Sequence, residues 1–178
     1  MITLNKFALN CCLIALLAPA QAQSLENPAP APAPAPTPTP AAGPASSPEA
    51  ILATGKAVYN TTCIACHQPT GLGLPPLFPP LKGSDWVAAP KPGRVVRIVL
   101  HGAAGPIKVN GVAFNGTMPG HGVQLTDDKI AAVITYIRQE YGNKASPVST
   151  EYVAAARAAF KDRGAPWTEA ELLAVPDK

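Results

Sequence analysis

The chain has 178 residues, a net charge of +3 and only 14% charged side chains, so it lacks the basic surplus of a nucleic-acid-binding surface. Proline is abundant at 22 and cysteine scarce at four. Cys11 and Cys12 fall in an N-terminal apolar run, and Cys63 and Cys66 share one short motif, which leaves no pair for a structural disulfide.

Residues 1–22 read as a secretory signal. Lys6 supplies a positive start, Phe7 to Ala18 is apolar apart from Asn10, and Ala20-Gln21-Ala22 gives a small-residue cleavage site before Gln23. The apolar run is about 12 residues, against the roughly 20 that a spanning helix needs, so no membrane span is expected in the mature chain. An uncleaved anchor and lipidation of Cys11 or Cys12 are the competing readings. If the signal is used, the mature protein is expected to be exported to the periplasm.

Residues 23–47 form a linker. Proline occupies every second position from Pro28 to Pro40, alternating with Ala or Thr. Such a run lacks backbone donors for helix or sheet and has nothing to build a core. Extended at about 3.1 Å per residue it reaches roughly 70 Å, as a spacer or as a tether.

A domain is expected over 48–143. Ser47-Pro48-Glu49 is a helix start, with a capping hydroxyl, proline in the first turn and an early acid. That helix should run through Ile51, Leu52, Val58 and Tyr59 into Cys63-Ile64-Ala65-Cys66-His67. Residues 68–93, rich in Gly and Pro, read as loop. Arg94 to His101 reads as a short amphipathic helix stopped by Gly102. Residues 103–124 again read as Gly-rich loop. Thr126-Asp127-Asp128 starts a further helix with Ile130, Val133, Ile134 and Ile137 on its inner face. Residues 144–178 read as a helical extension, with one helix from Thr150 to Arg163 and a capping-box pattern over Thr168 to Glu171, packed on the domain or on a partner. No strand of convincing length is expected, so the fold class is all-α.

Cys-x-x-Cys-His is the attachment pattern of a c-type haem. Two thiols at that spacing reach the two vinyl groups along one porphyrin edge, and the adjacent histidine supplies the proximal iron ligand. A zinc site would need further clustered Cys or His, and only His101 and His121 remain. A redox dithiol would want a strand and a βαβ setting. On the other side of the iron, Met118 is the methionine left once Met1 departs with the signal. It lies in Asn115-Gly116-Thr117-Met118-Pro119-Gly120, which suits a ligand better than a core filler. A thioether favours Fe(II) and raises the potential relative to a second imidazole, with His121 nearby as the competitor.

Three blocks carry a family resemblance. Gly55-x-x-x-Tyr59-x-x-x-Cys63-x-x-Cys66-His67, Phe78-Pro79-Pro80-Leu81-x-Gly83, and Thr117-Met118-Pro119-Gly120 followed by Leu125-Thr126-Asp127-x-x-Ile130-x-x-x-Ile134-x-Tyr136-Ile137 stand in the order found in class I c-type cytochromes. The stretch from Gly55 to Gly142 resembles that family. The resemblance implies a mono-haem domain with one covalent haem c, iron held by His67 and Met118. It implies that Pro79, or the adjacent Pro80, orients His67 through its carbonyl. It places Leu81 and Ile98 in the haem wall, Gly55 at a close helix crossing with Tyr59 and Tyr136, and Trp86 or Arg94 near a propionate. With both axial positions filled, the expected protein is a one-electron carrier and not an enzyme. Its partners are then a donor dehydrogenase and a terminal reductase or oxidase, and Lys82 and Lys108 are either steering charges or plain solvated surface. Two other readings stay open: a haem subunit docked on a periplasmic dehydrogenase or reductase, and a ligand sensor or peroxidase with a labile methionine.

Overall fold

The computed structural model describes residues 47–176, so the signal and all of the linker but Ser47 lie outside the described residues. The first helix, α1 (Pro48–Val58), starts as its sequence directs: the Ser47 hydroxyl accepts from Ala50 N–H and proline opens the first turn. It continues through one π-helical turn (Tyr59–Cys63) into the short α2 (Ile64–His67). A loop then leads to α3 (Gly93–His101), and later to α4 (Asp127–Gln139), α5 (Thr150–Ala159) and α6 (Glu169–Ala174). Thr126 stands at the N-cap of α4 without a capping side-chain bond, and Asp127 and Asp128 fill its first turn. The capping box at Thr168 and Glu171 is present. The α5 helix is shorter than its sequence suggested, ending at Ala159. No helix among the described residues is long and apolar enough to cross a membrane.

The all-α expectation needs correction. Gly102–Val109 and Val112–Pro119 form strands β1 and β2 of an antiparallel hairpin, with Met118 opposite Ala103 and Val109 opposite Val112. The two residues between them, Asn110 (φ 52°) and Gly111 (φ 78°), both take positive φ. That is the turn whose twist matches paired strands, and Asn-Gly is its preferred sequence. The Gly-rich composition of this stretch obscured the Asn-Gly signal between Val109 and Val112. Met118 therefore sits on a strand and not in a loop.

The core has two parts. In the larger, Ile130, Val133, Ile134 and Ile137 of α4 are buried against α1 and α3, and Val148 and Val153 join them from the C-terminal segment. In the smaller, Val109 and Phe114 of the hairpin pack with Trp86, Trp167 and Leu172. Arg138 of α4, wholly buried, donates to the carbonyls of Val87 (2.7 Å), Ala89 (3.0 Å) and Ser146 (2.9 Å). It ties the loop before α3 and the start of the C-terminal segment to one helix.

The crossing of α1 and α4 is close because Gly55 is buried in it. A methyl there would enter the space of the Ala132 carbonyl oxygen and come within 2.7 Å of Tyr136 Cβ. Tyr59 and Tyr136 flank the crossing with ring centroids 5.6 Å apart. Gly55→Ala gains about 1 kcal/mol of helix propensity. The backbone of α4 cannot rotate out of the way, so the overpacking cost, about 1–3 kcal/mol or more, wins. The expected result is a lower denaturant midpoint in equilibrium unfolding; a midpoint at or above that of the parent would contradict the crossing.

Candidate functional site

The π-helical turn is what delivers the cysteines. It inserts one residue into the helix, and the Thr61 hydroxyl donates to the Ala57 and Val58 carbonyls (3.1 Å each), an arrangement common where helices are reshaped for function. Cys63, Cys66 and His67 then line one cavity together with Leu81, Ile98 and Met118. Gln68 (φ 64°) ends α2, and the Tyr59 hydroxyl donates to its carbonyl at 2.7 Å.

The loop that follows folds back over His67. Gly73 N–H donates to the His67 carbonyl (3.1 Å), and Leu81 and Lys82 N–H donate to the Gly71 carbonyl (2.8 and 2.9 Å). This brings the Pro79 carbonyl to 3.0 Å from His67 Nδ1. A carbonyl only accepts, so Nδ1 carries the proton and Nε2 keeps its lone pair. Burial pushes the His67 pKa below the ordinary histidine value and outweighs the opposing Pro79 bond, so the ring is neutral near pH 7, the form that binds a metal. Burial, with Cys66 nearby, pushes the Cys63 thiol up to about 11. A thiol so placed is the reverse of the low-pKa nucleophile of a redox dithiol. Among the described residues no group of three or more His, Cys, Asp or Glu side chains is placed so that it could hold a single metal ion, as a zinc centre would require.

Met118 reaches the cavity from β2. The hairpin is stitched to the loop beside it: Asn115 N–H donates to the Pro76 carbonyl (3.0 Å), and Gly116 lies so close that a methyl there would strike the Leu77 carbonyl oxygen. After β2, His121 N–H donates to the Val99 carbonyl (2.8 Å), and the His121 side chain also lines the cavity. The structure thus brings together Cys63, Cys66, His67, Met118, Pro79, Leu81 and Ile98, with His121 beside them. Trp86 lines the cavity too. Arg94 does not, but its guanidinium stacks 4.8 Å from the Trp86 ring centre and its buried Nε lacks a hydrogen-bond partner. Lys82 and Lys108 are exposed. Sequence reasoning missed the share of the wall that the hairpin contributes, Ile107 and Phe114 above all. Their alternation about Asn110-Gly111 was the available signal.

The cavity, with its open mouth included, encloses about 1190 Å³ of empty space. Its lining is mostly apolar, with two thiols, a lone-pair nitrogen and a thioether as the chemically distinct groups. These donors fit a large flat iron-bearing macrocycle that is joined through sulfur and ligated by nitrogen and sulfur.

The family model described as Cytochrome c matches residues 52–140. Cytochrome c-552 of Thermus thermophilus is 38% identical over 94 residues, covering 51% of this chain and 70% of that protein. The cytochrome c subunit of the alcohol dehydrogenase (quinone) of Gluconacetobacter polyoxogenes is 35% identical over 112 residues, covering 63% of this chain and 23% of that subunit. The gluconate 2-dehydrogenase cytochrome c subunit of Pantoea cypripedii is 37% identical over 101 residues, or 54% of this chain and 22% of that subunit. The chain therefore spans less than a quarter of the length of these two dehydrogenase subunits.

Gly73 (φ 67°) tests the loop that positions Pro79. A side chain there would enter the space of the Phe78 carbonyl oxygen and approach the Pro79 oxygen at 2.6 Å. Left-handed strain of about 1–2 kcal/mol adds to an overpacking cost of about 1–3 kcal/mol. Gly73→Ala is expected to lower the unfolding free energy by the sum, measured by denaturant titration; an unchanged midpoint would mean the loop is not fixed by this contact.

Proposed function

This chain belongs to the cytochrome c family, and we propose that it is an exported, periplasmic one-electron carrier whose haem c is joined at Cys63 and Cys66 and axially held by His67 and Met118. Haem c, when bound, supplies a reversible one-electron change at iron. The observation that carries the reading is the convergence in one apolar cavity of both thiols, a neutral His67 turned by Pro79, and the Met118 thioether.

Each group has a task within that reading. Cys63 and Cys66 fix the macrocycle covalently, so it cannot exchange with solvent. The Pro79 carbonyl holds His67 in one tautomer and makes its Nε2 a better donor. Met118 fills the remaining axial position and leaves no open site for oxygen or peroxide, which is what separates a carrier from an enzyme. The apolar wall, Leu81 and Ile98 included, keeps water away from a centre whose charge changes at every turnover. The N-terminal signal pattern supports export to the periplasm.

A second reading draws on the similarity to cytochrome subunits of alcohol and gluconate dehydrogenases. Here the chain is a haem subunit that stays docked on a dehydrogenase. Stable co-purification with such an enzyme supports it, and a freely diffusing monomer by light scattering contradicts it.

Met118→Ala tests the axial assignment. The oxidised protein is expected to lose the weak far-red absorption band that marks a methionine–iron bond and to lower its reduction potential, with the thioether linkage intact. Retention of the band would assign the ligand elsewhere.

The stretches that frame the cavity, residues 67–81 and 109–126, contain no Asp, Glu, Lys or Arg. Exposed Leu72, Leu74 and Leu77 lie in the first of them. An uncharged rim of this kind lets two molecules meet without steering. Electron self-exchange, measured by NMR line broadening in half-reduced samples, is expected to change less than about twofold as ionic strength rises from about 0.01 to about 0.1 M, while the screening length falls from about 30 to about 10 Å. A steep dependence would show that charges such as Lys82 and Lys108 control approach.

A further inference from the structure

The C-terminal segment holds the strand paired with Met118 and the loop that follows Met118. Trp167 N–H donates to the Gly102 carbonyl (3.0 Å), and Ala104 N–H donates to the Trp167 carbonyl (2.9 Å). Trp167 therefore lies like a third-strand residue beside Ala103, and Ala103 is the residue paired with Met118 across the hairpin. Gly102 transmits the contact. A methyl at Gly102 (φ 81°) would enter the space of the Met118 carbonyl oxygen, so the residue that Trp167 bonds packs its bare backbone against Met118. Further along β1, Lys108 N–H donates to the Glu169 carboxylate at 2.7 Å.

Beyond Met118, Arg157 of α5 donates to the carbonyls of Gly122 and Leu125 (3.0 Å for the latter) and pairs with Asp127 at 2.7 Å. The Trp167 ring is 3% exposed. The Arg163 guanidinium lies 3.5 Å from its centre and the Phe160 ring packs edge-on at 5.1 Å. The Trp167 contact is thus anchored in packed structure.

His121, an imidazole, lines the same cavity. We propose that the C-terminal segment is a ligand-selecting clamp, in which Trp167 and Arg157 are positioning residues that keep the Met118 thioether, and not the His121 imidazole, on the iron. The inference rests on the reading of Met118 as axial ligand. It gives the segment a role in setting the potential, because a second imidazole stabilises Fe(III) relative to a thioether.

The test uses the haem-loaded full chain in four forms: parent, Arg157→Gln, Trp167→Phe and Trp167→Ala. Arg157 is a third exposed, so its replacement spares the fold if Trp167→Ala does not. The expected result is loss of about half or more of the far-red band in Arg157→Gln or Trp167→Ala, which corresponds to a roughly hundredfold shift in the ligand equilibrium of a parent that is about 99% Met-ligated. The potential falls with it, far-UV circular dichroism stays unchanged, and Trp167→Phe retains more of the band than Trp167→Ala. Adding His121→Asn should restore the band in part, because the competing donor is gone. Variants that melt earlier yet keep band and potential at full strength would reduce the segment to a plain brace and overturn the inference. A parent protein without the band would instead overturn the Met118 assignment, and the inference with it.

Discussion

The site hangs on the crossing of α1 and α4. A domain whose centre is a cavity cannot draw its stability from packing at that centre, so the frame has to be held from outside it. Gly55 permits the crossing by offering no side chain to the Ala132 carbonyl and Tyr136. From there α1 leads through its π-helical turn to the cysteines and His67, and α4 presents Val133 and Ile137 to the cavity wall. Moving the crossing would move both at once.

Two buried polar side chains fix what the crossing leaves loose. Arg138 donates to carbonyls in two separate loop segments. Asn143 donates to the Leu81 and Ile137 carbonyls (3.0 and 2.8 Å) and accepts from Gly83 N–H (3.0 Å). Burying such groups is costly unless their bonds are made, and once made they hold irregular backbone in one place. This explains how a loop of Gly and Pro residues presents the Pro79 carbonyl to His67 without regular structure of its own.

The parts of this architecture differ in how far they can be read from the sequence. Helices with caps and a periodic apolar face were legible, as α1 with Ser47-Pro48 and α4 with Ile130, Val133, Ile134 and Ile137 show. The attachment motif was legible because its chemistry fixes its spacing. The hairpin was not, because glycine and proline dominate 102–119 and strand pairing is a long-range property that local composition does not report. Its one local signal, Asn110-Gly111, is a turn signal and says nothing of how far the strands run. The contact between Trp167 and Gly102 is further from local information still, since it joins residues from distant parts of the chain through backbone groups that every residue carries.

The His67 and Met118 sides of the cavity are built differently. His67 is held by its own helix and by a loop closed on itself, whereas Met118 depends on a hairpin braced by the C-terminal segment. The proposed carrier role requires the Met118 side of the cavity to be closed when haem is bound. Exposure of the reduced, haem-loaded protein to carbon monoxide at neutral pH measures this directly. A closed six-coordinate centre predicts slow and incomplete change of the ferrous spectrum, while rapid binding at full strength would contradict it and point to an open, ligand-binding haem.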